Sequence, residues 1–438
     1  MAQGAGVGLP AGATAGAGQE LHELVAELYP LCRSITGNGV RRTLEIVGRD
    51  IDLEIHEVSS GTEVFDWTVP REWNIRDAWV ANAAGERVID FRACNLHVVS
   101  YSVPVRATLP LAELKRHLFT LPEHPDWIPY RTSYYSESWG FCASQQLVDS
   151  LPDGDYEVCV DATLADGHLT YGEHVVSGRT EDEVLITCHV CHPSLANDNL
   201  SGIAVASRLA MLLGRSRPRY SYRFLFIPGT IGSITWLARN EDRIGRIRHG
   251  LVLACVGDPG QLTYKRTRRG DAEIDRVMAH VLQRSGRPHQ IADFSPYGYD
   301  ERQFCSPGFN LPVGSLSRTP HARYPEYHTS ADDLELVRPE FLQDTLDTCW
   351  EALGVLEANR RYLNLKPKCE PQLGKRGLYG SIGGRSDAQE RQMAMLWVLN
   401  LSDGDHTLLD VADRSSLRFA LVAEVARSLE DAGLLATI

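Results

Sequence analysis

The segment from Val184 to Leu213 collects the residues whose types and spacing suit chemistry. It reads VLITCHVCHPSLANDNLSGIAVASRLAMLL, so two histidines, two cysteines and an aspartate lie between an apolar run and an apolar-periodic stretch. Imidazole and carboxylate groups suit zinc. A strand over 184–188 followed by a helix over 200–213 places His189, His192, Asp198 and Asn199 where functional groups collect in an α/β sheet. The pattern indicates a metal site at this strand end.

A further ligand is available much later in the chain. His328 lies in EYHTSADDLE, after a Pro-containing loop and before a helix that Thr329 or Ser330 caps. Taken singly, His192, Asp198 and His328 also fit structural roles in loops, but as a group they favour a zinc site. Cys188 and Cys191 could instead form a redox pair, although no thioredoxin-like βαβ start accompanies them.

The elements that must position these residues follow from apolar periodicity. Residues 20–50 predict a helix, a loop and a helix, and from 155 to 360 apolar strands alternate with helices, which predicts a mostly parallel sheet covered by helices. Five of the eight tryptophans fall in a β-patterned stretch, which predicts an inserted lid. The predicted organisation is a disordered leader (1–18), an α/β domain (19–52 and 141–362), a β-rich insert (53–140), a linker (363–386) and a winged-helix domain (387–438).

Composition restricts the class of partner. The 438 residues carry a formal net charge of −13, and residues 366–438 hold nine Lys/Arg against ten Asp/Glu, which argues against nucleic acid as a partner. The absence of a long apolar run argues against a membrane span, and the N-terminus does not resemble a secretion signal. We therefore expect a cytoplasmic protein with a small or peptide-like ligand and leave homo-oligomer formation open.

The order of these motifs resembles the zinc aminopeptidase clan, which includes leucyl aminopeptidases and glutaminyl cyclases. The resemblance rests on LITCH with NDNLSGIA, RFLFIP, DERQFCSPGFNLPVG and YHTSADDLE, over residues 20–50 and 155–358. More narrowly, the chain resembles aminopeptidase-like proteins with an inserted β domain and a C-terminal winged helix, which are often linked to polysaccharide or specialised-metabolite gene sets.

The resemblance implies a set of metal ligands. His189, Asp198 and His328 correspond to metal-binding positions, with Asp198 able to bridge two ions, so one or two Zn²⁺ are expected. His192 is the alternative to His189, because Cys191 stands where the clan's His-x-Asp has its aspartate. Asp258 in VGDPG is a loosely aligned candidate for a further carboxylate, since the clan's aspartate falls nearer Ala254.

The largest departure from the clan concerns its Glu-Glu pair, which binds the second metal and serves as general base. Pro228, Gly229 and Thr230 stand at those places. Either the site holds one metal or another carboxylate has taken over, and Glu301 in YGYDERQF is the predicted catalytic residue. Glu173 and Glu326 are weaker alternatives.

The chemistry implied is hydrolysis of an amide. Zinc polarises a carbonyl and lowers the pKa of water, and a nearby carboxylate accepts the proton. The predicted substrate-binding residues near Glu301 are Tyr297, Tyr299, Arg302, His321 and Arg323.

The leading hypothesis is therefore a zinc-dependent aminopeptidase or amide hydrolase acting on a small peptide or amino-acyl substrate. Two alternatives stay open. One is a ligand-sensing regulator with a degenerate peptidase domain, and the other is a deacylase of an amino sugar or biosynthetic intermediate.

Overall fold

A computed structural model describes residues 9–10, 12–378 and 388–438. These residues divide into two compact units, one spanning residues 12–348 and the other residues 9–10, 349–378 and 388–438. Each unit has its own sheet, and the candidate site lies entirely in the first.

Helices and strands alternate through most of the first unit. The helices are α1 (Gly18–Leu28), α2 (Asn38–Val47), α3 (Leu111–Leu114), α4 (Gln145–Ser150), α5 (Ser201–Gly214), α6 (Ile231–Arg239), α7 (Glu273–Arg284), α8 (Glu301–Phe304) and α9 (Pro339–Ala358), the last of which contains the boundary with the second unit. The strands are β1 (Glu54–Ser59), β2 (Glu63–Val64), β3 (Trp67–Thr68), β4 (Glu72–Ala81), β5 (Arg87–Asp90), β6 (Val105–Pro110), β7 (Leu118–Phe119), β8 (Phe141–Cys142), β9 (Asp155–Ala165), β10 (His168–Val176), β11 (Glu183–His189), β12 (Ser221–Ile227), β13 (Ile247–Leu253), β14 (Leu262–Lys265), β15 (His289–Ala292) and β16 (Val313–Ser317).

The main sheet has eight strands in the order β1-β10-β12-β11-β13-β16-β14-β15. Its centre, β12-β11-β13-β16, is parallel, and β14 and β15 are parallel to each other, whereas the remaining neighbours are antiparallel. Every residue of β11 is buried, as expected for a central strand with both faces covered. The predicted α/β class with a mostly parallel sheet is confirmed.

A second, four-stranded sheet has the order β5-β4-β9-β6. The boundaries differ from the predicted insert of 53–140, because β1 pairs with β10 in the main sheet and β9 pairs with β4 and β6 in the smaller one. Strand pairing over such sequence separations leaves no local signal in the composition. Of the tryptophans in this region, Trp73 is buried, whereas Trp67 is 46% exposed.

The predicted disordered leader lies partly outside the described residues, at 1–8 and 11. From residue 12 onward the structure differs from that prediction. Ala17 is fully buried, and the side chain of Gln343 on α9 bonds the backbone of Thr14 and Gly18. The chain is therefore held in place before α1 begins.

The described part of the second unit has a three-stranded sheet and three α-helices of its own, which follow the last turns of α9. Its elements are β17 (Arg361–Asn364), α10 (Ala388–Leu401), β18 (Asp403–Thr407), α11 (Leu408–Ser415), α12 (Phe419–Asp431) and β19 (Leu435–Thr437), with β17 between β18 and β19. Because β17 belongs to this sheet, the module begins near residue 361 rather than at 387. The predicted linker of 363–386 thus overlaps β17, and its residues 379–386 lie outside the described residues.

None of the described helices combines the length and the apolar character needed to cross a membrane.

Candidate metal centre

The end of β11 and the start of α5 bring the predicted ligands together. β11 ends at His189, and a kinked turn over residues 196–200 leads into α5 at Ser201. Asp198 lies in this turn and is fully buried, as are its neighbours. The structure places these residues at the strand end, as the sequence predicts.

Three histidine side chains converge on the Asp198 carboxylate. His189 Nε2 lies 2.8 Å from Oδ1, and His192 Nδ1 and His328 Nε2 lie 3.2 Å and 3.0 Å from Oδ2. The candidate ligand atoms of His189, His192 and Asp198 all lie within 4.8 Å of one another. His328 joins them from 130 residues further along the chain.

Burial and charge set the protonation of these groups. Burial lowers the pKa of His189 and His328, which keeps both imidazoles neutral near pH 7. Burial also acts on His192, but the Asp198 carboxylate outweighs it and raises the pKa of that ring. Burial alone would raise the pKa of Asp198, yet the histidines, His192 foremost, hold it well below its ordinary value. An ionised carboxylate beside the neutral imidazoles of His189 and His328 is the form in which a divalent metal is bound, whereas His192 has to give up its proton before it can act as a ligand.

Two buried aspartates hold the turn that carries Asp198. Asp332 accepts hydrogen bonds from the backbone N–H groups of Asn197 and Asp198, at 2.5 Å and 3.0 Å. Burial raises the pKa of Asp332 to about 8. The Asn197 side chain in turn donates to Asp258 at 3.0 Å.

Asp258 therefore supports the turn instead of joining the group of candidate ligands. Its carboxylate also accepts bonds from the N–H groups of Gly260 and Thr319 and from the Thr319 hydroxyl. These donors already occupy both of its oxygens, so the loosely aligned ligand role has no support in the geometry.

Aromatic rings enclose the exposed side of the cluster. Tyr130 packs edge-on against His192 and His328, with ring centroids 5.3 Å and 5.0 Å away, and its N–H donates to the His328 carbonyl at 2.7 Å. Tyr327 stacks on His328, and Tyr299 stacks on His189. Tyr130 comes from the predicted insert, so that region contributes directly to the wall of the site.

A buried carboxylate lies beside the positions of the missing Glu-Glu pair. Asp300 is fully buried, its Oδ1 accepts a hydrogen bond from Ser233 at 2.8 Å, and its Oδ2 has no partner among the described residues. A Cβ added at Gly229 would lie 3.4 Å from that free oxygen and 3.1 Å from the His189 Cβ. Burial raises the pKa of Asp300 to about 7.

Four of the five predicted substrate-binding residues line one cavity of about 590 Å³, namely Tyr297, Tyr299, His321 and Arg323. Tyr299 connects this cavity to the cluster, since its hydroxyl lies 3.4 Å from Asp198 Oδ1. Burial, followed by the charge of Asp198, raises the pKa of Tyr299 well above its ordinary value, so its phenol stays protonated and able to donate.

Arg302 points elsewhere: it is not among the described residues that line the cavity, and its Nε is buried without a hydrogen-bond partner.

Glu301, the predicted proton acceptor, also lines this cavity. It is 1% exposed, its Oε1 lies 2.6 Å from Lys265 Nζ, and its Oε2 has no hydrogen-bond partner in the described part of the chain. The weaker alternatives differ in their surroundings: Glu173 is paired with Arg223 and bonded to Trp236, while Glu326 is partly exposed two residues before His328.

All ten cysteines are free thiols. Cys188 and Cys191 are buried, burial raises the pKa of both, and the Cys191 thiol faces the Gly229 carbonyl. A reactive redox pair needs a lowered thiol pKa, so these two cysteines behave as packing residues.

Sequence reasoning missed Asp300, Asp332 and Tyr130. Asp300 lies next to Glu301 in DERQFCSPGFNLPVG, and Asp332 follows His328 in YHTSADDLE. Tyr130 carries no sequence signal, because a segment nearly two hundred residues away holds it against His328.

The donor set fits a zinc ion. Three imidazoles and one ionised carboxylate converge in a buried position, and these are borderline ligands that zinc accepts. The Asn199 amide forms a hydrogen bond with His189 Nδ1, and Asp332 accepts one from the Asp198 backbone N–H. Hydrogen bonds of this kind orient metal ligands.

Comparisons with known proteins agree with this architecture. Residues 22–359 match the family model described as a domain of unknown function, DUF4910, and residues 360–437 match a winged helix-turn-helix model. A Clostridium acetobutylicum protein, described as a presumed polysaccharide biosynthesis protein with an aminopeptidase-like domain, is 56% identical over 94% of this chain and 95% of its own.

Solved structures extend the comparison. A presumed peptidase from Clostridium acetobutylicum is 52% identical, covers 98% of both chains and superposes with a TM-score of 0.93. A zinc aminopeptidase from Bacillus subtilis is 13% identical, covers 77% of this chain and 94% of its own, and has a TM-score of 0.57, which shows a shared fold. The chain has the aminopeptidase-like fold and belongs to the DUF4910 family, with a winged helix-turn-helix domain after it.

Proposed function

We propose that this protein is a metal-dependent hydrolase that cleaves an amide bond in a small peptide or amino-acyl substrate. The observation that carries the proposal is the convergence of three histidine rings on the buried Asp198 carboxylate, beside an open cavity in an aminopeptidase-like fold. His189, Asp198 and His328, with His192, would hold the zinc.

A bound zinc ion supplies Lewis acidity, which polarises a carbonyl and makes water a better nucleophile at neutral pH. The residues of the chain do the remaining work. Tyr299, protonated and within reach of Asp198, can donate a hydrogen bond to the oxygen on which negative charge develops. Tyr130 and Tyr327 shield the cluster from water.

Two adjacent carboxylates can accept the proton. Glu301 lines the cavity, but one of its oxygens is already engaged by Lys265. Asp300 has a free oxygen beside Gly229 and a pKa raised to about 7, close to the optimum for proton transfer at neutral pH. Both residues are candidates for the proton acceptor, and its surroundings favour Asp300 over Glu301 in this role.

The proposal is tested by metal content before activity. Wild type, His328→Ala and His168→Ala, a control on the partly exposed part of β10, are purified without added metal and analysed for zinc. Wild type and the control should contain zinc, and His328→Ala should contain much less. Equal zinc in all three would remove His328 from the ligand set, and no zinc in any of them would contradict the metal-dependent mechanism.

Two broader features bear on the proposal. The name of the Clostridium acetobutylicum relative points to polysaccharide biosynthesis, which supports a deacylase of an amino sugar as the second candidate function. The ten free cysteines fit a reducing compartment and support our proposal of a cytoplasmic location.

A further inference from the structure

The cavity beside the metal centre has a floor made by three strands at one edge of the main sheet. β14 lies between β16 and β15, with Thr263 opposite Ser317 and Gln290, and Lys265 opposite Ser315 and Ala292. Side chains two residues apart on a strand share a face. The floor therefore consists of two rows across the sheet, Ser317-Thr263-Gln290 and Ser315-Lys265-Ala292, and all six residues line the cavity.

The opposite face of the same strands has ordinary α/β packing. Leu262, Tyr264 and Leu316 are buried there, and the Tyr264 hydroxyl donates to Asp275 on α7 at 2.8 Å. A sheet face in this kind of fold is normally apolar and covered. The polar floor departs from that pattern where these strands line the cavity.

The chemistry of the floor excludes an apolar occupant. An apolar side chain seated there would leave hydroxyl and amide groups without hydrogen bonds, which costs free energy at each unpaired group. Within the described part of the chain, the side chains of Gln290, Ser315 and Ser317 form no hydrogen bond to other residues. Their polar groups are available to a ligand.

The charges of the floor are already balanced. Lys265 is paired with Glu301, and Arg318 is paired with Asp344 at 2.7 Å. The groups left on the floor to contact a ligand are hydroxyls and amides, and two exposed charged residues lie at the edge, Arg323 and Asp293, the latter 3.8 Å from Arg266. Neutral donors and acceptors in rows match a polyhydroxylated ligand better than a polyanion.

The wall and the rim fit the same ligand. Tyr297 is 69% exposed and its ring lies 5.2 Å from that of His321, which offers a flat surface to a sugar ring. Tyr299 forms the wall shared with the metal cluster. A volume of about 590 Å³ is within the usual range for small-ligand sites.

We propose that this cavity binds the carbohydrate portion of an N-acylated amino sugar whose amide lies at the metal centre. The proposal rests on the metal-dependent hydrolase function above and favours the amino-sugar substrate of its second candidate over a peptide. In the reaction the amide C–N bond breaks, the oxygen of water bonds to the acyl carbon, and the protons of water end on the carboxylic acid and the released amine. The products are a carboxylic acid and a free amino sugar.

Binding tests the proposal separately from catalysis. Chelator-treated protein is mixed with N-acetylglucosamine, its short β-linked oligomers and N-acetylgalactosamine, and in parallel with apolar dipeptides, and binding is measured by saturation-transfer NMR and calorimetry. The variant is Thr263→Val with Gln290→Met, which keeps side-chain size and removes hydrogen bonding. Thr108→Val, on exposed β6 of the smaller sheet, is the matched control.

Wild type and Thr108→Val should bind at least one of these sugars, and the double variant should bind it at least tenfold more weakly with an unchanged thermal transition. Failure of every sugar to bind, or equal affinity in the double variant, would overturn the proposal. Hydrolysis of an amino-acid amide by zinc-loaded wild type, assayed separately, tests the hydrolase function, so the two can fail independently.

Discussion

Replacing Asp300 by asparagine should change how stability depends on pH. Asparagine keeps the shape of the side chain and the oxygen that accepts the Ser233 hydrogen bond, but it cannot ionise. In the folded chain, burial raises the Asp300 pKa from 3.8 to about 7. Between these values the unfolded chain has lost the proton and the folded chain retains it, so wild-type stability falls as pH rises.

The size of the effect follows from the two pKa values. They differ by roughly 3, and each pKa unit corresponds to about 1.4 kcal/mol, so the full cost of ionising Asp300 is about 4 kcal/mol, an upper limit. About 3 kcal/mol of this accumulates between pH 5 and pH 8. The free energy of unfolding of Asp300→Asn, relative to wild type, should therefore increase by that amount over this range.

Urea unfolding measures the difference. Both proteins are treated with a chelator, so that metal does not act on Asp300, and tryptophan fluorescence follows the first unit, which holds six of the eight tryptophans. Other titrating groups cancel in the comparison. A difference that stays constant from pH 5 to pH 8 would refute the reasoning, because it would mean that Asp300 ionises as readily when folded as when unfolded.

The same substitution tests a role in proton transfer. If Asp300 accepts the proton, Asp300→Asn should lower turnover by about 10²–10⁴-fold with zinc content unchanged. A loss of zinc alongside activity would instead indicate a structural effect on His189, whose Cβ lies close to the same place.

Three further predictions follow from other groups. If Glu301 is the base, Glu301→Gln should also lower turnover by about 10²–10⁴-fold while the zinc content stays unchanged. A loss of zinc would indicate that Glu301 is a ligand. Full activity with full zinc would show that Glu301 has neither role. Burial lowers the pKa of His249 from 6.5 to about 4, so the free energy of unfolding of wild type should fall as pH decreases from 6.5 to 4. In urea unfolding, His249→Gln should lose about 3 kcal/mol less than wild type over this range. Parallel pH dependences of the two proteins would contradict this. In a titration at physiological salt, residues 360–438 should not bind any one DNA sequence with sub-micromolar affinity in preference to random DNA. The reason is that α12 carries three acidic residues, Glu424, Glu430 and Asp431.

The position of His189 and Asp198, the candidate ligands, could be predicted because they lie at a strand end that the sequence marks clearly. β11 is a largely apolar, fully buried strand that ends at His189, and the turn before α5 keeps Asp198 close by. His328 has no such strand end beside it; its loop position made it a candidate, and the resemblance of its motif supported the assignment.

The rest of the site depends on contacts between distant segments. Tyr130 reaches His328 because Pro129 and Thr329 form an isolated antiparallel β-bridge, and neither residue has a periodic neighbour that predicts this. The orientations of Asp300 and Glu301 depend on where α8 begins: Asp300 precedes the helix and bonds Ser233, whereas Glu301 opens it and faces Lys265. The environments of Asp300 and Glu301 are separated by a shift of one residue in the start of α8. Helix propensity does not locate helix ends to within one residue.

The replacement of the clan's Glu-Glu pair and the position of Asp300 are explained together by space. A Cβ at Gly229 would already lie 3.1 Å from the Cβ of His189, closer than side chains normally pack, and 3.4 Å from the free oxygen of Asp300. A glutamate there would have to share this buried place with the Asp300 carboxylate, and two neighbouring carboxylates in such a place cannot both ionise at low cost. Glycine leaves the position to Asp300 alone. Asp300 supplies one carboxylate from the start of α8, whereas the resemblance implies two carboxylates that follow β12. Restoring a glutamate by Gly229→Glu should therefore disturb His189 and lower zinc content; a Gly229→Glu protein with full zinc and raised activity would show that the space is not limiting.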